Sequence, residues 1–363
     1  MAEADTAPKR RGEFPARGFL GKFVLVLAAC AVAALVSEVL IRVLKPGFPR
    51  FRIPQVEHRP APGLGFEMVP NQIAYTAGER VTINEHGLRG PRIHDRVGSN
   101  LRVLCLGDSI TFGYGVGDDD PFPRQLEGLL RQAWPERGAE VVNAGVQRYF
   151  TYQEIDFLRL KGLELRPDIV ILVVYINDLN VRPRGDYTRE YEKEREQAAS
   201  AFRNRFPWLY LLAKNSALVE LTKNAYLQGG EESGSLRIFE GIAGRRDEER
   251  WKAMEQELAA FTQLSREHRF FPMVVAIPAR IQVQKEFPRS LYPQRLLMLT
   301  QRGGIESLDL IASFRESLDR GVDPYLPWDN HLSSDGHKLV AAAIFRRLLE
   351  LSPPLENAGH PVG

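Results

Sequence analysis

Residues 168–178 read DIVILVVYIND, apolar at nearly every position from Ile169 to Ile176 and without alternation. A strand with one wet face alternates. A run of strand length that is apolar throughout must be covered on both sides. It therefore belongs inside a parallel sheet with helices above and below. The neighbouring chain supplies the rest: LRVLCLG at 101–107, EVVNAGV at 140–146, FFPMVVAIP at 270–278 and a short segment near 305–310 read as further strands. Amphipathic segments separate them, at 121–134, 151–165 and 249–267, with a last helix from Ser334 to Leu351. This alternation predicts the α/β class with a parallel sheet. Ligands in such folds sit at the carboxyl ends of the strands. Residues 181–248 break the rhythm with charged helices, the apolar patch FPWLYLLAKNSALVELT and the stretch GGEESGSL, and read as an insertion.

The N-terminal part has a different character. Residues 1–22 are polar and read as a disordered cytoplasmic tail, and FVLVLAACAVAALVSEVLIRVL at 23–44 is apolar except for Glu38 and Arg42. About 20 apolar residues span a bilayer, so this segment predicts one transmembrane helix. Glu38 and Arg42 stand four apart and can pair and snorkel at its far end. The basic residues before the run favour a cytoplasmic N-terminus. That orientation puts the remaining chain on the extracytoplasmic, periplasmic side. A competing reading takes LAAC at Leu27–Cys30 as a lipoprotein cleavage box, but the chain stays apolar for a dozen positions beyond Cys30. Residues 45–100, rich in Pro, Gly and Arg, read as a linker and hairpin region with a turn at Asn84–Gly87, and 353–363 as a tail.

Charge excludes one class of partner. With 48 basic and 46 acidic residues the net charge is only +2, which leaves no footprint for nucleic acid. Two cysteines, Cys30 and Cys105, predict no disulfide, and seven scattered histidines form no metal-ligand pattern. No cofactor and no metal is expected.

The strand at 101–107 runs into GDSITFGYGVG, a serine flanked by an acid and followed by three glycines. A phosphate-binding loop needs a Lys and Ser/Thr, or G-x-G-x-x-G. Here the glycines read G-x-G-x-G without Lys, and Asp108 and Asp118–Asp120 would repel phosphate. A nucleophile is the better reading. Serine is weak alone, so a base must take its proton and a third group must orient that base. Donors must then meet the oxyanion. PWDNHLSSDGHKL near the C-terminus offers Asp329 with His331. Gly145 past the second strand can bring its backbone N–H close to a substrate. Asn177 past the third offers a side-chain amide, and the Ser109 N–H is a further donor. DGH at Asp335–His337 repeats the Asp–His spacing. Ser333 or Ser334 makes a good N-cap, however, so His337 falls within the helix, and His331 stays in the loop, free to reach Ser109.

Four blocks in order, Gly107-Asp108-Ser109, NAGV around Gly145, Asn177-Asp178, and Asp329 with His331, resemble the SGNH (GDSL) hydrolase superfamily from about Leu101 to Leu351. The stretch INEHGLRG is similar to a segment upstream of the serine in its membrane-anchored bacterial members. The resemblance implies a three-layer α/β/α, flavodoxin-like domain over 101–352. It also implies Ser109 as nucleophile, His331 as base, Asp329 as its orienter, and Ser109, Gly145 and Asn177 as the oxyanion hole. The expected activity is a serine-dependent ester hydrolase, a carbohydrate or lipid O-acyl esterase working through a seryl ester on a small-molecule or glycan ester. Two departures keep an alternative open. Tyr175 stands where the third block has Gly, and the last block reads D-x-H, as in the alginate acetyltransferase branch. The alternatives are an O-acyltransferase modifying an exported polysaccharide and a catalytically silent glycan-binding module. Asp108 is expected to cap the turn, Asp178 to bond local amides, Trp328 to wall the pocket or pack, and His58, His86, His94, His268 and His360 to lie at the surface.

Overall fold

Each central strand of the computed structural model sends alternate side chains into two separate cores. The structure describes residues 16–44, 51–95, 100–136, 138–179, 205–223, 236–242 and 244–351. The C-terminal tail, residues 1–15 of the N-terminal tail and parts of the insertion lie outside these. Five parallel strands form the main sheet: β5 (Leu101–Gly107), β6 (Ala139–Gly145), β7 (Ile169–Val174), β8 (Phe271–Ala276) and β9 (Glu306–Asp309), in the order β6-β5-β7-β8-β9. In β7, Val170, Leu172 and Val174 enter one core and Ile169, Ile171 and Val173 the other, which is why the run has no polar face.

Ten helices are named in chain order: α1 (Ala16–Leu44), α2 (Ser109–Phe112), α3 (Phe122–Ala133), α4 (Thr151–Leu160), α5 (Pro207–Asn215), α6 (Arg245–His268), α7 (Arg280–Gln284), α8 (Gln294–Gly303), α9 (Ile311–Asp319) and α10 (Ser334–Glu350). Residues of α4, α6 and α8 join the first core; residues of α3, α9 and α10 join the second. The layers are thus helix, sheet, helix, as the sequence resemblance implied.

Two boundaries differ from the sequence reading. α1 begins at Ala16, so the helix takes in residues assigned to the tail; once a helix is nucleated, each further residue adds a hydrogen bond. α6 begins at Arg245, inside the expected insertion. Its first turn holds Asp247, which accepts from Gly244 N at 2.9 Å and caps the start. Residues 51–95 lie within the region expected to hold a linker and a hairpin. They form two hairpins, β1 (His58–Ala61) with β2 (Gly65–Met68) and β3 (Gln72–Thr76) with β4 (Glu79–Ile83). Met68, Ala74, Val81 and Ile83 enter the first core. Past the turn at Asn84–Gly87, Arg89 bridges antiparallel to Asn143 on the outer edge of β6, which covers an edge that would otherwise offer unpaired amides.

His337 lies in α10, fully buried, and its Nδ1 accepts from Phe122 N at 3.2 Å. It ties the last helix to the start of α3. Burial, and after it the positive charge of Arg89 and His331, pushes this imidazole down to about 3. The unfolded chain takes up that proton near pH 6.5, so stability falls as pH drops from 6.5 towards 3, by up to about 1.4 kcal/mol per unit. His58 was expected at the surface. It is largely buried against Phe66 and held down to about 4 by burial, then by Arg148, so it acts in the same window. Relative to wild type, the His337→Gln variant should therefore show a slope of unfolding free energy against pH that is smaller by up to about 1.4 kcal/mol per unit between pH 6.5 and 4.5, read by urea denaturation.

Candidate active site

Ser109 stands two residues past the end of β5, as the first residue of the single turn α2. Asp108 caps that turn, its Oδ1 accepting from Ile110 N at 2.8 Å. Gly113 ends it at φ 86, in the left-handed region that glycine adopts without strain. The serine is thereby held half-buried on a sharp strand-to-helix turn.

His331 reaches this serine from the loop before α10, 222 residues along the chain. Its Nε2 lies 2.8 Å from Ser109 Oγ and its Nδ1 2.6 Å from Asp329 Oδ1. Asp329 Oδ1 also accepts from His331 N at 3.1 Å. Burial alone would raise the Asp329 carboxyl, but its bonds to His331 and to local amides hold it below the usual carboxylate value. An imidazole on a hydroxyl and a carboxylate on that imidazole is the arrangement that general-base activation of a hydroxyl requires. The Tyr114 ring lies 4.6 Å from the His331 ring and 6.1 Å from that of Trp328. Trp328 itself is buried, packed with Leu326 and Ala217 of the insertion, so it walls the site by packing.

Asn177 follows β7 in a short 3-10 turn, Ile176–Leu179. Its Nδ2 donates to Asp108 Oδ2 at 2.7 Å, which fixes the amide next to the serine turn and leaves its second N–H to donate elsewhere. Asp178 behaves as expected and accepts from Tyr175 N at 2.8 Å. Asp108, Glu154 and Asp178 are all fully buried, and the carboxyls of all three are raised, by burial first. Mutual repulsion adds to this at Glu154 and Asp178.

Gly145 has a different use from the one expected. A Cβ there would sit 2.1 Å from Phe112 N, so its missing side chain lets β6 pack against the backbone of α2. Its N–H donates to Asn143 Oδ1 at 3.0 Å. In the same loop Arg148 holds φ 72, a conformation costing a non-glycine residue about 1–2 kcal/mol.

Two arginines escaped the sequence reading. Arg89 is buried, and its guanidinium donates to Phe112 O at 2.8 Å, Gly113 O at 2.5 Å, Val116 O at 2.7 Å and Gly117 O at 2.8 Å. It fastens the whole loop that follows Ser109. Arg280 in α7 donates to Leu326 O at 3.1 Å and Asp329 O at 3.2 Å and pairs with Asp323, so it fastens the loop that carries His331. The loop that follows Ser109 and the loop that carries His331 are thus each held by one arginine on carbonyls. INEHGLRG marked Arg89 only as part of a familiar segment, and no motif marks Arg280.

The model of the GDSL-like lipase/acylhydrolase family matches residues 105–339, and the chain belongs to that family. It is an ester hydrolase. A stretch of 112 residues is 30% identical to an acetylxylan esterase of Xylanibacter ruminicola, covering 28% of this chain and 22% of that protein's length. Among solved structures, the acetylxylan esterase Axe2 from Geobacillus stearothermophilus is 18% identical, with 69% of this chain and 95% of that one aligned at a TM-score of 0.42. The acetyl xylan esterase AlAXEase is 16% identical, with 68% and 100% aligned at 0.41.

Lysine cannot serve four carbonyls from one compact ammonium. Replacing Arg89 by Lys should cost about 2–3 kcal/mol of stability, the price of leaving buried acceptors unpaired. It should also lower kcat at least fivefold, with the loop no longer held. Denaturation and ester turnover at saturating substrate read the two effects.

Proposed function

We propose that this ester hydrolase removes acyl groups from carbohydrate through a seryl ester on Ser109. His331 takes the hydroxyl proton as the serine attacks and returns it to the leaving sugar oxygen. Asp329 orients the imidazole. The oxyanion is met by the backbone N–H of Ser109 and the free N–H of Asn177. The Gly145 N–H joins only by leaving Asn143 Oδ1 as charge develops. Water activated by the same imidazole then releases the acid. The observation that carries this reading is the unbroken hydrogen-bonded line from Ser109 Oγ through His331 to Asp329. Acetylated glycan as substrate class is suggested by the acetylxylan esterase of X. ruminicola.

A second reading, acyl transfer to a polysaccharide hydroxyl, is favoured by the D-x-H spacing of Asp329 and His331 and by the aromatic Tyr114–Trp328 wall beside the imidazole. Both readings share the seryl ester, and a silent glycan-binding module would not form one. α1 would hold the catalytic domain to a membrane, with that domain on the extracytoplasmic side. The Gly21–Leu44 stretch has a mean hydropathy of 2.7 and its most apolar window is unburied. Its last turns are bonded to the insertion, so retention fits better than removal as a signal.

Ser109→Ala should abolish turnover of an aryl acetate and labelling by a fluorophosphonate. His331→Ala should lose at least a hundredfold in kcat, and His337→Ala should keep most of it in the folded fraction. With an acetylated donor and oligosaccharides present, acetate should appear in solution faster than new ester appears on glycan by mass spectrometry; the reverse order would establish transfer.

Intact-mass measurement of membrane-extracted protein should find α1 still present. A mature chain beginning with a lipidated Cys30 would replace this anchor by a lipid one.

A further inference from the structure

The insertion presents a surface that the catalytic groups do not use. No residue of α5 is buried, and Trp208 and Leu212 are 63% and 61% exposed, beside exposed Phe206, Leu209 and Leu211. Trp208, Leu211 and Leu212 stand at i, i+3 and i+4, on one face of the helix. Lys214 lies in the last turn, its Nζ 5.9 Å from the Tyr210 ring.

What covers this face follows from where α5 is tied. Its C-terminal end is fastened to the last turns of α1. The Glu38 carboxylate accepts from Ser216 Oγ at 2.9 Å, Ala217 N at 2.9 Å and Leu218 N at 3.0 Å, capping the helical residues 217–223 that follow. Arg42 pairs with Glu38 at 2.7 Å and donates to Asn215 O. Ile41 of α1 joins Ala217, Leu221, Trp328 and Tyr114 in one apolar cluster. A bilayer's hydrocarbon takes about 20 helical residues. Counted from Gly21, it ends within a turn of Glu38 and Arg42. α5 is therefore fixed at the depth of the headgroups. Its aromatic and leucine face and its terminal lysine are the composition that this layer selects.

We propose that α5 lies in the surface of the membrane that α1 crosses, with its Trp208–Leu212 face among the headgroups and upper acyl chains. The two helices then seat the mouth of the site on the bilayer, because Tyr114 touches both the His331 ring and the cluster that includes Ile41. The substrate is accordingly an acyl ester on a molecule held in that leaflet. This last step rests on the esterase site proposed above; the seating of α5 does not.

The test uses the full chain in lipid nanodiscs. Phosphatidylcholine brominated high on its acyl chains should quench wild-type tryptophan emission more than that of Trp208→Phe, which isolates one of four tryptophans. Trp208→Ser/Leu212→Ser should lower turnover of an acetylated glycolipid in the same disc at least fivefold while leaving turnover of a soluble aryl acetate within twofold. Equal quenching of wild type and Trp208→Phe overturns the seating of α5. An unchanged ratio of the two turnovers overturns the placement of the mouth. Wild-type protein inert towards the aryl acetate would refute the esterase site and leave the quenching result standing.

Discussion

The guanidinium of Arg89 holds four carbonyl oxygens of one loop, and the geometry of the site depends on that grip. The loop from Phe112 to Gly117 has no strand or long helix to fix it, and its carbonyls face inward. A buried carbonyl without a donor is costly, so something must come in from outside the sheet. A rigid fork of donors suits several acceptors at once. Burial lowers this guanidinium to about 10, against the opposing pull of Asp118, Asp120 and Glu79, so it stays charged at neutral pH. Asp118 in turn accepts from Thr82 N and Oγ1 at 2.8 and 2.7 Å. The hairpins before the sheet and the loop after the serine are thus one hydrogen-bonded body.

The acids behind the site answer to a different constraint. Asp108 is needed in two places, on the Ile110 amide and on the Asn177 amide, and both bonds favour its charged form. Burial disfavours that charge and raises the carboxyl. Glu154, whose two oxygens find no partner among the described residues, is raised in turn by burial and then by the charges of Asp178 and Asp108. The two bonds of Asp108 nevertheless hold the Asn177 amide against the turn that carries Ser109.

What could be read in the sequence was what short stretches of chain encode. The unbroken apolar run of β7 dictates a two-sided sheet, and the residues just past the strand ends include Ser109 and Asn177, which the fold brings to one place with His331. The choice of His331 over His337 rested on an N-cap serine, and Ser333 does accept from Gly336 N at 3.2 Å. What could not be read depends on partners far along the chain. Arg89 has no meaning until Phe112 to Gly117 fold around it. Gly145 looked like an open backbone donor, but its reason is a close approach to α2, visible only once β6 and α2 are packed together. His58 reads as a surface residue from its polar surroundings in sequence, yet the hairpin of β1 and β2 turns it onto Phe66. Glu38 and Arg42 do form the expected pair, but their second role needs an insertion about 180 residues away.

Ser109 and His331 come from opposite ends of the domain's sequence, 222 residues apart, and meet only across the folded sheet. Such a non-local contact can form only after the strands between them have met the entropy of closing so long a loop. Loosening either the turn after β5 or the loop before α10 would part the two groups while leaving the rest of the sheet intact.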